Sequence, residues 1–271
     1  MTTQTNWMIA AAGTDAIQAR EAGFTCLHLC ARLSADGTFS LLAHPANSRG
    51  DFLGIADSGG VPRKCGSFAF DAASAAQARG CAGIMADFER PLLQELTVSL
   101  DMETQRSGLQ LMIPLPLAEY APHACVIADT AVSGGSLEER FSDLLERFGA
   151  DRLAAQLVCS CSDFPLPCSN PDGTPLTPEE FQSLLDRTGA AIFFSRELCA
   201  KYFTYSSGDQ AHFVLFDDAD TLHAKARLLS RLGVRRLMAV YPDANKMNLF
   251  ELFKQKCSWT DEEVKKNVRV I

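Results

Sequence analysis

Positive charge, long apolar runs, tryptophan and paired metal-binding knuckles are all scarce in this sequence, and each shortage removes a class of function. Lysine and arginine total 25 against 33 aspartates and glutamates, a formal charge of −8 over 271 residues, so a phosphate backbone meets repulsion rather than a basic face. No nucleic-acid partner is expected. No stretch reads as a membrane span, and the opening MTTQTNWMIAAAG has no Lys or Arg ahead of its short apolar run, so it lacks a signal-peptide pattern. The chain is therefore expected to be cytoplasmic or intracellular, with no membrane partner. Ten cysteines are present, but they are scattered through apolar segments of a chain large enough not to need disulfide staples, and they read as reduced, buried thiols. The densest group, Cys159, Cys161 and Cys168 in CSCSDFPLPC, has no paired CxxC and no histidine nearby, so neither a metal nor another cofactor is expected. Only two tryptophans occur, Trp7 and Trp259, too few to pave a long sugar-binding groove by stacking.

What remains is ordinary core-forming material, 47% hydrophobic and 21% charged, enough for one domain spanning 1–271. Short apolar runs alternate with amphipathic stretches. Strands are expected at WMIAAA from Trp7, CLHLCA from Cys26, CGSFAF from Cys65, GIMADFE from Gly83, LQLMIPL from Leu109, ACVIAD from Ala124, LAAQLVCS from Leu153 and LMAVYP from Leu237. Helical patterns fall between most of them, clearest at Thr14–Ala22, Asp71–Arg79, Pro91–Arg106, Ser136–Phe148 and Ala219–Leu232. Strand–helix alternation on this scale predicts an α/β fold, a (β/α)₈ TIM-type barrel. The run YFTYSSGDQAHFVLFDD breaks the alternation. Its two aromatic and β-branched halves flank Gly208-Asp209, which predicts an inserted β-hairpin, about 190–218, before the last helix.

In GIMADFERP, Asp87 and Glu89 sit two residues apart on a strand that otherwise reads as buried. Residues i and i+2 share a strand face at about 6.5 Å, and Pro91 ends the strand, which puts the pair at its carboxyl end. In a barrel of this class that end carries the active site. Two neighbouring carboxylates in a poorly solvated place favour one protonated partner beside one ionised partner, the arrangement of a proton donor and its neighbour. A salt-bridged pair at the barrel rim, with Arg90 as the partner, is the structural alternative. His28 and His212 read as hydrogen-bonded structural histidines, and the acidic run Asp217-Asp218-Ala219-Asp220 reads as a helix cap.

These residues resemble glycoside hydrolase family 18. AGIMADFERP is similar to that family's fourth-strand signature DGxDxDxE, with Gly83, Asp87, Glu89 and Pro91 matching and with Ala82 and Met85 at the first two aspartates. The segment KYFTYSSGDQAHFVLFDDADTLHAKARLLSRLGVRRLM is similar to the stretch before the last strand in the spore-cortex-lytic, N-acetylglucosaminidase-like branch. The resemblance implies a divergent member in which Glu89 is the general acid and Asp87 orients the substrate's own N-acetyl group, the substrate-assisted exception to the two-carboxylate scheme. It also implies that Asp129, in VIAD, matches the aspartate of the sixth-strand MxYD motif, with Ala128 where the tyrosine stands. Val240 falls near the last-strand tryptophan. Asp163 aligns with a cleft-lining position, and Tyr241, at the end of the last strand, is expected at the barrel mouth. The implied partner is a small oligosaccharide or a cell-wall glycan, chitin- or peptidoglycan-type, with a spore-associated location consistent with that branch. A catalytically impaired barrel that binds a glycan or a protein, and a metal-dependent barrel hydrolase, are the alternatives carried forward.

Overall fold

The computed structural model describes residues 5–42, 48–57, 66–88, 93–168, 170–246 and 249. In chain order the first strands are β1 (Asn6–Ala11), β2 (Thr25–Leu33), β3 (Phe39–Leu41), β4 (Phe52–Ala56), β5 (Gly83–Asp87), β6 (Gln110–Pro114), β7 (Cys125–Asp129) and β8 (Leu153–Leu157). A second group follows, β9 (Cys161–Leu166), β10 (Thr174–Pro175), β11 (Phe193–Ser195), β12 (Ala200–Ser207) and β13 (Gln210–Phe216), before β14 (Arg236–Val240). β1, β2, β4, β5, β6, β7, β8 and β14 are parallel neighbours, and the β1–β14 and β1–β2 pairings close them into an eight-stranded barrel. β3 lies antiparallel on β2 as an extra strand.

Barrel strands are buried on both faces, which is why they read as continuous apolar runs rather than alternating ones. Their inward positions form one cluster, including Met8, Leu27, Phe52, Met85, Met112, Cys125, Ala154 and Met238. Their outward positions pack against the surrounding helices in two further clusters. The helices are α1 (Gly13–Glu21), α2 (Phe68–Ala78), α3 (Gln94–Arg106), α4 (Leu137–Phe148), α5 (Pro178–Thr188), α6 (Ala219–Leu232) and α7 (Tyr241–Lys246). α4 shows how sequence sets such a helix. Leu137, Phe141 and Leu144 are its buried residues, one stripe at i, i+4 and i+7, and the Ser136 side chain accepts the Glu139 amide at the start. α6 ends where Gly233, at φ 97°, turns the chain left-handed. Between β6 and β7 a short 3₁₀ helix, Leu115–Tyr120, stands where a full helix would be.

The third barrel strand is not the expected CGSFAF. Phe68, Ala69 and Phe70 open α2, while the strand is Phe52–Ala56, FLGIA; Cys65 lies outside the described residues. The helix prevails because FAFDAASAAQA places Phe68, Ala72, Ala73 and Ala76 on one buried side. Close approach fixes the start of β5. A Cβ on Gly83 would collide with the Gln110 carbonyl oxygen and lie 2.7 Å from the Phe52 ring.

The expected hairpin is present as β12 and β13, with Gly208 at φ 60° in its turn. It belongs to a larger element. Between β8 and α6 the order β10-β9-β13-β12-β11 makes a five-stranded antiparallel sheet. Residues of α5, including Leu184 and Phe181, pack on one face against Phe203, Val214 and Phe216. At the neck of this insertion, Ser160 on the way out and Asp217 on the way back are tied together. The Asp217 amide donates to the Ser160 carbonyl at 2.7 Å, and the Ser160 hydroxyl donates to Asp217 Oδ2 at 2.9 Å. Lys225 of α6 completes the clasp, its Nζ 2.8 Å from Asp217 Oδ1 and 2.9 Å from Oδ2. The acidic run thus divides its work. Asp218 is the α6 cap, in a reciprocal box with Thr221, whereas Asp217 is a buried ion-pair partner.

Candidate active site

Strand parity decides what reaches the barrel mouth. On β5 the inward residue Met85 is followed two positions later by Asp87; on β7, Cys125 and Ile127 are followed by Asp129; on β8, Ala154 is followed by Gln156. Asp87 and Asp129 are the last residues of their strands, so both carboxylates stand at the carboxyl end of the barrel. There they line one cavity of about 140 Å³ together with Gln156. Its remaining wall is apolar, from Ala10 and Leu29 on one side, through the Pro114-Leu115-Pro116 corner after β6, to Ile127, Met238 and Val240. The 3₁₀ helix contributes to the site, since Leu115 and Pro116 open it.

Asp129 is held in place by its own loop. Its Oδ1 accepts the Ala131 amide at 3.0 Å and lies 3.6 Å from Arg140 Nη1, which also donates to the Ala131 carbonyl at 3.2 Å. The guanidinium of α4 thereby braces the loop that holds the Asp129 side chain at the mouth. Glu89, with Arg90 and Pro91, lies outside the described residues, as does Trp259.

Two other residues expected at the mouth are elsewhere. Tyr241 is buried in the outer layer between strands and helices, and its hydroxyl donates to the Gln18 side-chain oxygen of α1. Parity is the reason: Met238 and Val240 face the barrel interior, so the next residue points outward. Asp163 does not line the cavity. SDFPL continues as β9 of the inserted sheet, opposite Val214 of β13, and the Asp163 carboxylate accepts the Tyr205 hydroxyl at 2.7 Å and faces His212 Nδ1 at 3.0 Å. The Tyr205 and His212 rings stack at 4.5 Å. Burial, and then the hydrogen bond to Asp163, push the Tyr205 phenol up to about 12. His28 is a structural histidine, buried with Nε2 2.8 Å from Asp51 Oδ2.

Gln156 joins Asp87 and Asp129, and its signal lies in the sequence. It is the one polar side chain in LAAQL, at an inward position next to the strand end. Ala128 points the other way, into the outer cluster with Phe141 and Leu137. Among the described residues no group of three or more His, Cys, Asp or Glu side chains is placed to hold a metal ion, and no helix is long and apolar enough to cross a membrane.

No protein-family model matches the chain, and no curated protein matches it in sequence. Solved structures do match. The spore cortex-lytic enzyme SleL of Bacillus cereus superposes with a TM-score of 0.66 at 15% identity, over 96% of this chain and 76% of that one. SleL of Bacillus megaterium gives 0.62 at 16% identity over the same shares. A class V chitinase from Nicotiana tobaccum in complex with NAG4 gives 0.60 at 14% identity, over 94% of this chain and the whole of that one. The fold is that of chitinases and spore cortex-lytic enzymes. The family 18 resemblance read from AGIMADFERP and the C-terminal third is thus matched at the level of architecture, at identities that mark a divergent sequence.

Proposed function

We propose that this chain is a divergent glycoside hydrolase acting on N-acetylglucosamine-containing glycans, of chitin or peptidoglycan type, by substrate-assisted retaining hydrolysis. The observation that carries the reading is the placement of Asp87 and Asp129 on one cavity at the carboxyl end of the barrel, in a fold shared with SleL and chitinases. In the proposed reaction the substrate's acetamido oxygen forms a bond to the anomeric carbon as the glycosidic bond breaks. The leaving oxygen takes a proton from the acid that the sequence resemblance assigns to Glu89. Asp87 accepts the acetamido N–H and stabilises the positive charge that spreads over that group. Water then adds at the anomeric carbon on the face left by the departing group as the bond to the acetamido oxygen breaks and the acetamido group is regenerated; the water gives its proton back to Glu89, and configuration is retained.

Matched fluorogenic N-acetylglucosaminides and glucosides, assayed on wild type, Asp87→Asn and Glu89→Gln, test this. Turnover confined to the N-acetyl substrate and reduced by about 10²-fold or more in each variant is expected. Equal turnover of both sugars, or full activity in Glu89→Gln, refutes it. A catalytically silent, glycan-binding barrel is the second reading, favoured by the size of the site. At about 140 Å³ the cavity is well under the roughly 300–1,000 Å³ usual for pockets enclosing whole small ligands, so it suits one substituent of a sugar rather than a chain. Saccharide binding without turnover would select that reading.

A further inference from the structure

Gln156 sits where its side chain can choose the substrate. It is the Cα partner of Asp129 across the β7–β8 ladder, and both side chains line the cavity. Neighbouring strands are about 4.8 Å apart, so carboxylate and carboxamide stand side by side at the mouth. Their situations differ. Asp129 is engaged with the Ala131 amide and Arg140, whereas no side-chain hydrogen bond takes up the Gln156 carboxamide among the described residues.

The chemistry of the lining narrows what Gln156 can do. Of the described side chains around the cavity, Asp87 and Asp129 accept hydrogen bonds when ionised, and the rest of the wall is hydrocarbon or thioether. The Gln156 amide nitrogen is therefore the side-chain donor of this lining, and a neutral one. An acceptor carboxylate, a neutral donor and an apolar wall from Ile127, Met238 and Val240 complement an N-acetyl group, with its N–H, carbonyl oxygen and methyl. A hydroxyl in its place is too short to reach both the Gln156 donor and the apolar wall, leaving the one unpaired and the other unfilled.

We propose that Gln156 donates a hydrogen bond to the carbonyl oxygen of the substrate's acetamido group and so sets both the preference for N-acetylated sugars and the aim of the attacking oxygen. A carbonyl oxygen has two lone pairs; the one held by Gln156 leaves the other directed at the anomeric carbon. Gln156 gives up no atom or electron. The bond from the acetamido oxygen to the anomeric carbon forms as the glycosidic bond breaks, and the leaving oxygen is protonated by the general acid. The assignment rests on the hydrolase reading. Its content is positioning, and misplacing a reacting atom by about 1 Å costs about 10²-fold in rate.

The test compares the full-length wild type with Gln156→Leu and Gln156→Met, both lacking the donor, on an N-acetylglucosaminide and its N-thioacetyl analogue, whose sulfur is a weak acceptor. Each variant is expected to lose about 10²-fold in kcat on the N-acetyl substrate. The oxygen-to-sulfur rate ratio should also collapse relative to wild type, because a hydrogen bond already removed from the protein cannot be removed again from the substrate. That ratio is read within each protein and is independent of how much of it folds. A wild-type ratio preserved in both variants, or a kcat within twofold of wild type, overturns the assignment and leaves the hydrolase reading standing. No turnover by wild type overturns both.

Discussion

Replacing Lys225 by methionine should strand a charge in the interior, and the structure gives the size of the effect. The Lys225 side chain is 1% exposed and its partner Asp217 is 0% exposed, with two N–O distances of 2.8 and 2.9 Å. Methionine keeps most of the aliphatic volume, so packing is nearly conserved and the loss is electrostatic. Asp217 would keep the Ser160 and Thr221 hydroxyls, each at 2.9 Å, which offset part of its lost solvation without supplying a counter-charge. Removing one member of a buried pair costs about 3–5 kcal/mol. Taken as about 4 kcal/mol, that lowers Tm by roughly 10 °C in a chain of this size. Adding Asp217→Asn removes the stranded charge while its one amide oxygen still accepts from either the Ser160 or the Thr221 hydroxyl, and about half of the loss should return. The pair also clasps the neck of the inserted sheet, so hydrogen exchange in β9, β12 and β13 should rise more than in the barrel strands. Calorimetry of wild type, both single variants and the double variant completes the cycle. A Tm within about 2 °C of wild type for Lys225→Met, or strictly additive single effects, would refute the reasoning.

Two further outcomes follow from titrating groups. Because the folded Tyr205 phenol is raised to about 12 from an ordinary value of about 10, its contribution to stability is complete below about pH 10 and is lost as pH climbs towards 12. An ultraviolet tyrosinate titration should show a late step that moves down in Asp163→Asn; no late step, or no movement, counts against the Tyr205–Asp163 bond. Burial pushes the Cys26, Cys30 and Cys159 thiols up to about 12, leaving about one part in 10⁴ as thiolate at pH 8. Cys168 is exposed. Brief alkylation followed by peptide mapping should label Cys168 well before those three, and early labelling of Cys26 or Cys30 would refute their placement.

The barrel was legible because its strands are short apolar runs bounded by helices, and for seven of the eight the run in the sequence overlaps the strand in the structure. FLGIA does not announce itself as a strand, for a physical reason. It is only five residues long and carries Gly54, which reads as a break in isolation. In the barrel that glycine is demanded by contact, since a Cβ there would lie 2.8 Å from the His28 carbonyl oxygen. CGSFAF misled in the opposite sense, its two phenylalanines suggesting a strand before the alanines that continue the helix are counted. The inserted sheet was half legible. The β12–β13 hairpin carries its own turn signal, but β9 gains strand character only by pairing with β13, a contact that no local pattern announces.

At the site, strand parity decides which side chains reach the cavity. Asp87 follows Met85 by two positions on the inward column of β5 and so reaches the cavity at the mouth. Tyr241 was placed only by its nearness to a strand end. Counting from Met238 and Val240, which face inward, sends Tyr241 outward, where it packs on α1. The same count turns Ala128 away from the cavity and Asp129 toward it, so a larger side chain at Ala128 would meet Phe141 and Leu137 rather than a sugar. It also turns Gln156 inward from the middle of an apolar pentapeptide. In a closed barrel the interior column of each strand is fixed once one member is known, because the side-chain period is two and the ladder allows no slip without flipping every residue. A polar residue on that column within two positions of the carboxyl end is thus committed to the mouth whatever its local composition suggests, and by that rule Gln156 belongs to the site as firmly as the two aspartates.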